Sequence, residues 1–473
     1  MTNHIQSISL QKLTATLGLR SAIFMVISVI LGSGVFKKVA MMAATLQSPL
    51  LVLLCWVLAG IISLAGALCT AEMAGMFPNS GGEYFYFQKV YNRFFAYIYG
   101  WANFVVLKTA SIAALAYIFA QSFNSIFPLP ELSFNQKANG SLWIDNLSVK
   151  LLASLLLVIL TFINYKGIQY AEKLSRIMTY LMLSAAAVIV VAGFSAPMGS
   201  ISNLTTESVH ADHSWSIWQI IKAITIASLG AFWGYEGWNC VGLIGEEIKN
   251  PKRNLPIALG IGTLVIMLVY VLLNLVYLYI LPIDSIIEMS NHPNQIAAVE
   301  VMKVVWGKWG ELFVALLILV TTFNATNSTI LTSARLFYAM ARDNNFYKPA
   351  ATIHPTFKTP SVSLLLQGIW SVLLIWSGTF DQLTDMLIFS AFIFYGATAL
   401  AVLIMRKRMP NEPRFYKVFA YPFTPVFFIL FCALLITITL QNQPKEALSG
   451  LALIATGIPF YFYWKRKEKQ TNL

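Results

Sequence analysis

Two short stretches decide the reading of this chain: Gly32-Ser33-Gly34-Val35-Phe36 and Phe232-Trp233-Gly234-Tyr235-Glu236-Gly237-Trp238-Asn239. Each lies near the middle of a long apolar run. Glycine costs about 1 kcal/mol against alanine within a helix. A helix interrupted at mid-membrane also frees backbone groups that lipid cannot satisfy. Such breaks survive where they line a cavity or bind something. A single Gly-x-Gly would read as close helix packing through small residues. Here there are two, in runs one and six, and Gly32 and Gly234 are 202 positions apart. That spacing matches a repeat of five spans, the sequence pointer to an inverted-repeat transporter with its site at the midplane.

Working outward, a membrane helix needs about 20 mostly apolar residues. Twelve runs meet or approach this: 21–46, 49–76, 94–126, 148–165, 176–197, 216–244, 255–281, 311–341, 361–378, 383–405, 418–440 and 446–464. The expected fold is all-α, with twelve transmembrane helices of which the first and sixth are broken. The segments are a cytoplasmic stretch 1–20, a first five-helix repeat 21–197, and a second, inverted repeat 216–405. Two further helices in 418–464 and a cytoplasmic tail 465–473 complete them. The mixed stretch 284–310 has room for an interfacial helix. Asn250-Pro251, Pro349, Pro360, Pro410 and Pro413 punctuate the connections.

Composition agrees. Of 473 residues, 58% are hydrophobic and 11% charged, whereas a soluble domain is about 25% charged. This excludes a soluble enzyme, a disordered protein and a nucleic-acid binder, and makes the lipid bilayer the main partner. The formal charge of +12 reads as cytoplasmic retention of basic residues. With the N-terminus inside, 23 of the 32 Lys and Arg fall on inner segments, seven on outer ones, and Lys108 and Lys222 within spans. Both termini are thus expected in the cytoplasm, with the chain in the plasma (inner) membrane and without a signal peptide.

Cofactor and metal chemistry find no support. The four cysteines form no C-x-x-C pair, and His4, His210, His213, His292 and His354 lie outside the apolar runs. No phosphate-binding G-x-x-x-x-G-K-[ST] loop is present, so no ATP-driven pump is expected.

The breaks themselves suggest the ligand. A helix restarting after Gly34 offers free N–H groups and a positive dipole end, suited to a carboxylate. A helix stopping near Trp233 offers carbonyls, suited to an ammonium group. Opposed half-helices can hold a zwitterion with main chain alone. Glu236 is the mid-span exception. Unpaired it would cost about 3 kcal/mol, so it faces a cavity, has a partner or is protonated.

At these residues the chain resembles the amino acid–polyamine–organocation superfamily. G-S-G-V-F at 32–36, A-L-C-T-A-E at 67–72, P-N-S-G-G-E-Y at 78–84, F-W-G-Y-E-G-W-N at 232–239, G-E-E-I-K-N-P-K-R-N-L-P-I-A at 245–258 and T-S-A-R-L-F-Y-A-M-A-R-D at 332–343 carry the likeness. It spans about residues 15–465 and is nearest the L-type amino acid transporter branch. The resemblance implies a leucine-transporter-like fold and binding of a free amino acid. It places Ile30, Gly32, Ser33, Gly34 and Val35 at the α-carboxylate. Phe232, Trp233, Gly234, Tyr235 and Glu236 would lie at the amino group and side chain, with Trp233 as an aromatic outer gate. Asn239, Asn324 and Asn327 either face the pathway or, for the latter two, bond between helices.

The sequence departs from that pattern in places. Met182 stands where many relatives carry a fifth-span lysine, and Asn239 where some antiporters carry an acid. Lys37 and Lys38 read as snorkelling to the outer interface. The loop 127–147 lacks the cysteine through which animal members hold a glycoprotein, so no disulfide-linked ancillary subunit is expected. The coupling ion, H+ or Na+, is open. The expected function is exchange or ion-coupled symport of neutral amino acids, with a cationic amino acid or polyamine carrier as the alternative. A membrane enzyme would have to use Glu72, Glu83, Glu246 or Glu247, which read instead as ion-pair partners of Arg253 or Arg335. A pure amino-acid sensor or a channel is the third class; a sensor is expected to carry an added signalling domain, and the sequence reads as having no soluble domain.

Overall fold

The computed structural model describes residues 15–130, 147–211, 214–291, 295–377 and 380–471. Residues 1–14 of the N-terminal stretch and 131–146 of the loop after the third run lie outside them.

The first run forms two helices, α1 (Leu19–Ile30) and α2 (Gly34–Leu46), bent by 40° across the break. After Pro49, whose missing N–H costs nothing in a first turn, α3 covers Pro49–Met76. The short α4 (Glu83–Val90) leads to the third run. That run is α5 (Arg93–Ala102), a π-helical turn at Asn103–Leu107, and α6 (Lys108–Ile126). Then come α7 (Leu147–Tyr165), α8 (Ile168–Ser195) and the single turn α9 (Ser202–Thr205). The sixth run is α10 (Ile217–Tyr235), opened by a capping box between Ser216 and Gln219, and a 3-10 segment at Trp238–Glu247.

The second half continues with α11 (Pro251–Ile280). The mixed stretch holds two short helices, α12 (Ile283–Met289) and α13 (Ala297–Trp306). They are followed by α14 (Lys308–Arg342), α15 (Ser361–Ser377) and α16 (Phe380–Arg408). The last two runs are α17 (Phe423–Asn442) and the pair α18 (Pro444–Ala455) and α19 (Gly457–Thr471).

Ten of the described helices are long and apolar enough to cross a membrane, and eleven spans result if the bent α1–α2 pair counts as one. The ninth expected run, 361–378, gives an apolar helix of 17 residues, short of the length a straight span needs. The protein is thus an all-helical multi-pass membrane protein; the expected twelfth span rests on this shorter helix.

Which helices are central follows from burial. Of the most apolar stretch of Arg93–Ile126 and of Lys308–Arg342, 83% is covered by protein, against 28% for Lys173–Ser195. The outer helices α7 and α8 turn Leu155, Val158, Phe162, Leu181 and Val191 outward, as a lipid-facing wall requires. The inner helix α14 buries Thr322, Asn324, Asn327, Ser328, Thr332 and Arg335. Apolar outside and polar between helices is the expected distribution for a bundle in lipid. Around α14 stand α1, α6 and α8, while α2 packs on α10 and α3 on α11. The two breaks therefore meet in the middle of the bundle.

One side of the bundle is pinned by ion pairs, most of them buried. Arg335 holds Glu247 at 2.8 Å, Arg406 and Arg414 both hold Glu72, and Glu246 pairs with Arg342 at 3.7 Å. Of the acids expected to pair with Arg253 or Arg335, Glu247 meets Arg335, whereas Glu246 meets Arg342 and Glu72 meets Arg406 and Arg414. The chain before α1 joins here: the N–H groups of Thr16 and Leu17 donate to the Glu247 carbonyl, and Lys249 N–H donates to the Leu17 carbonyl.

Candidate functional site

Helix α1 stops because Leu31 leaves helical geometry, with φ −71° and ψ 78°. The carbonyl of Ile30 that this frees accepts the Tyr270 hydroxyl from α11 at 2.7 Å and the N–H of Gly32, also at 2.7 Å. Helix α2 starts at Gly34, where the sequence placed the restart. The Ser33 carbonyl takes the N–H groups of Phe36 and Lys37. The N–H groups of Ser33, Gly34 and Val35 meet no acceptor among the described residues, so the positive end of α2 is open.

The second break lies opposite. Helix α10 runs through Trp233 to Tyr235, two residues beyond the expected stop, and Glu236 and Gly237 form the turn. Gly237 has φ +108°, a conformation open to glycine, and a Cβ there would lie 2.4 Å from Val29 Cγ1. A Cβ on Gly34 would lie 2.4 Å from the Cα of Gly234. The two half-helices cross backbone against backbone, a contact that glycine at 34 permits, while a Cβ on Gly234 would press on the Trp56 ring at 3.0 Å.

Between the breaks lies a cavity of about 20 Å³. Val29, Ile30, Gly32, Ser33 and Gly34 line it from the first break, and Trp233, Glu236 and Gly237 from the second. Lys108, Ser111 and Leu115 of α6, Cys240 of the 3-10 segment and Thr329 of α14 complete the wall. The volume suits about one water molecule. The Ser33 and Thr329 hydroxyl oxygens are buried without a hydrogen-bond partner among the described residues, an arrangement that native interiors seldom tolerate without a purpose.

Other expected residues point elsewhere. Val35 is buried but off the cavity wall. Phe232 packs against Phe392 and Phe431 in tilted and edge-on arrangements, with ring centroids at 4.5 and 5.4 Å. Gly234 supplies the crossing, and Tyr235 turns to α3, donating to the Trp56 carbonyl at 3.1 Å. Asn324 donates to Thr179 Oγ1 and Met182 Sδ on α8, and Asn327 accepts from Asn164 of α7 at 2.8 Å. Of the two roles open to these asparagines, these contacts are interhelical bonds. Lys38 differs from expectation. It is 4% exposed, donates to Thr384 of α16 at 3.2 Å and lies 3.9 Å from Asp385, so it is a buried interhelical contact and does not snorkel. Lys37 donates to Gln121 at 3.3 Å.

Lys108 is an in-span cation to which the sequence alone assigns no partner. Its ammonium lies 3.1 Å from Glu236 Oε1, and the Tyr395 hydroxyl donates to Glu236 Oε2 at 2.6 Å. Lys108 also reaches Asn239 Oδ1 at 3.5 Å and Cys240 Sγ at 3.4 Å. The π-helical turn Asn103–Leu107 immediately precedes it, and such one-turn bulges re-aim the residues that follow. A lysine and a glutamate in lipid-spanning segments each need a partner; that requirement, applied to both at once, was the signal that pairs them.

Comparison with known proteins places the chain. The amino acid permease family model matches residues 17–460. The serine/threonine exchanger SteT of Bacillus subtilis (strain 168) is 28% identical over 454 residues, covering 96% of this chain and 97% of its own. The b(0,+)-type amino acid transporter 1 of Mus musculus is 28% identical over 467 residues, covering 98% and 89%. The large neutral amino acids transporter small subunit 2 of Mus musculus is 28% identical over 472 residues, covering 96% and 82%. The broken helices, the polar cavity between them and an end-to-end family match lead to one conclusion: this chain belongs to the amino acid permease family, and is a membrane transporter rather than an enzyme.

Proposed function

We propose that the chain carries small neutral amino acids across the membrane by alternating access, as an exchanger or an ion-coupled symporter. One observation carries this reading: Ser33 and Gly34, whose N–H groups with that of Val35 form the open end of α2, line a cavity whose other wall is the end of α10. The α-carboxylate takes those N–H groups. The α-amino group takes the carbonyls that α10 leaves at its C-terminal turn. Trp233 covers the site as a gate. The orphan hydroxyls of Ser33 and Thr329 favour a short side chain able to hydrogen-bond, in keeping with the serine and threonine named for the Bacillus subtilis relative.

A cationic substrate is the second reading, because Glu236 lines the cavity. Its charge is offset by Lys108 at 3.1 Å, which favours the neutral one. A cavity with room for about one water molecule cannot hold an amino acid, so loading requires the half-helices to separate. Residues 21–197 and 216–405 are the repeats that would move, with 418–464 alongside. Both termini are cytoplasmic in this reading, and the membrane is the plasma (inner) membrane.

The experiment is counterflow of labelled amino acids into proteoliposomes loaded with unlabelled ones. Saturable exchange of serine-sized neutral amino acids is expected, with lysine and putrescine as weak competitors. No saturable flux for any amino acid would end the proposal.

A further inference from the structure

The Lys108–Glu236 pair continues into a second acid. Asn239, whose Oδ1 faces the Lys108 ammonium, turns its Nδ2 to Glu83 Oε1 at 2.9 Å. Lysine is a donor only, so the orientation of the Asn239 amide follows from chemistry. The Tyr99 hydroxyl donates to Glu83 Oε2 at 3.2 Å. The result is a buried chain from Tyr395 through Glu236, Lys108 and Asn239 to Glu83 and Tyr99. It runs from the cavity wall to the first residue of α4. Glu83 is 1% exposed, Lys108 3% and Glu236 9%.

The charge does not balance. Among the described residues the titratable groups that act on Glu83 are Lys108 of α6, Tyr86 of α4 itself, Tyr99 of α5 and Tyr395 of α16, while Glu236 and Cys240 lie on the far side of Lys108. Two carboxyl groups thus share one ammonium, and Glu236 is the nearer to it. With both acids ionised, a net negative charge is buried without a counterion, which protein interiors do not sustain cheaply. One proton makes the cluster neutral. Burial pushes the Glu83 carboxyl above its ordinary range, against the pull of its own backbone N–H, Asn239, Lys108 and Tyr99.

We infer that Glu83 is a proton-binding site that couples the pH gradient to the substrate cavity, an inference that rests on the transport reading above. The proton comes from water, sits on a Glu83 carboxylate oxygen, and returns to water on the other side with the substrate. With Glu83 protonated, Lys108 is drawn to Glu236 alone and holds the α10 break against α6. With Glu83 ionised, the two acids compete for the ammonium and that hold loosens. Gly81 and Gly82, with φ +101° and +50°, form the turn that starts α4 at Glu83. The neighbouring Ser80 N–H reaches the part-exposed Glu246 at 3.4 Å, so the site lies near one mouth of the bundle.

The test uses the full chain in proteoliposomes with labelled serine. An inside-alkaline gradient should raise initial uptake about fivefold or more, the low end of a coupling between sites. Adding serine outside should alkalinise the medium, read with a pH-sensitive dye. E83Q, which fixes a neutral side chain, should lose both responses while counterflow without a gradient reports a folded, binding carrier. Should E83Q fail to fold, Y99F serves: it removes one donor to the ionised carboxyl, so the pH midpoint of gradient-driven uptake should rise. Counterflow without gradient stimulation in the wild type would overturn the proton site and leave the transport reading intact. Stimulation retained in E83Q, or an unmoved midpoint in Y99F, would overturn the assignment to Glu83. Absence of counterflow in the wild type would instead sink the transport reading.

Discussion

Gly34 and Gly234 stand backbone to backbone: a single carbon added to Gly34 would come within 2.4 Å of the Gly234 Cα and 2.8 Å of its nitrogen. No real Cβ sits so close to main chain, so one of the half-helices would have to retreat. The same contact brings the open N-terminus of α2 against the end of α10. Backbone proximity at this crossing therefore sets the geometry of the cavity.

Gly34→Leu should abolish substrate binding, because the half-helices can no longer approach. Gly34→Ala should weaken it and destabilise the fold by about 1–3 kcal/mol, the usual cost of overpacking. Counterflow and thermal unfolding in detergent measure the two effects. Wild-type affinity in the leucine variant would place the site elsewhere.

Trp233→Ala removes the largest side chain on the cavity wall. An anchoring aromatic of this kind is worth about 2 kcal/mol, on the order of thirtyfold in Kd. The variant should bind more weakly and leak substrate down its gradient. Unchanged affinity and unchanged leak in vesicles would remove the gate role.

Lys108→Met leaves the Glu236 carboxylate buried beside an apolar chain. Removing one partner of a buried ion pair costs about 3–5 kcal/mol. Lys108→Met combined with Glu236→Gln should recover most of that loss in thermal stability. A double mutant as unstable as the sum of the single ones would show that the two side chains act independently.

Tyr270→Phe deletes the hydroxyl that caps the Ile30 carbonyl at 2.7 Å. One buried hydrogen bond contributes about 1 kcal/mol net, and here the acceptor belongs to the broken helix. The variant should lose about that much stability and show a raised KM. Equal loss of stability with unaltered KM would make the bond structural only.

Cys240 is the one cysteine on the cavity wall among the described residues. In a chain with Cys55, Cys69 and Cys432 changed to serine, substrate should slow modification of Cys240 by a small thiol reagent in step with site occupancy. Labelling insensitive to saturating substrate would argue that the substrate does not lie against the second break.

How much was legible in the sequence varies by feature, and the reason is physical. Helix boundaries follow from local chain chemistry: the restart at Gly34, proline at the start of α3 and α11, and long apolar runs are written in neighbouring residues. The approximate place of both breaks and the membership of the family came from the same local information. The direction of a side chain around a helix did not. Each residue turns the next by about 100°, so two further helical residues in α10 carried Tyr235 away to Trp56 while Glu236 stayed on the cavity. Lys38 likewise read as a snorkelling chain until α16 brought Thr384 and Asp385 to it.

The amino acids alone determined a lipid-dissolved helical bundle with two interrupted helices, because hydrophobicity and glycine act within a few residues of chain. Only the tertiary structure decided that Lys108 neutralises Glu236, that Asn239 joins both to Glu83, and that Ser111, Cys240 and Thr329 share one cavity. Those contacts span tens to hundreds of positions. They exist because buried charges and unpaired backbone groups must find partners wherever the packed helices place them.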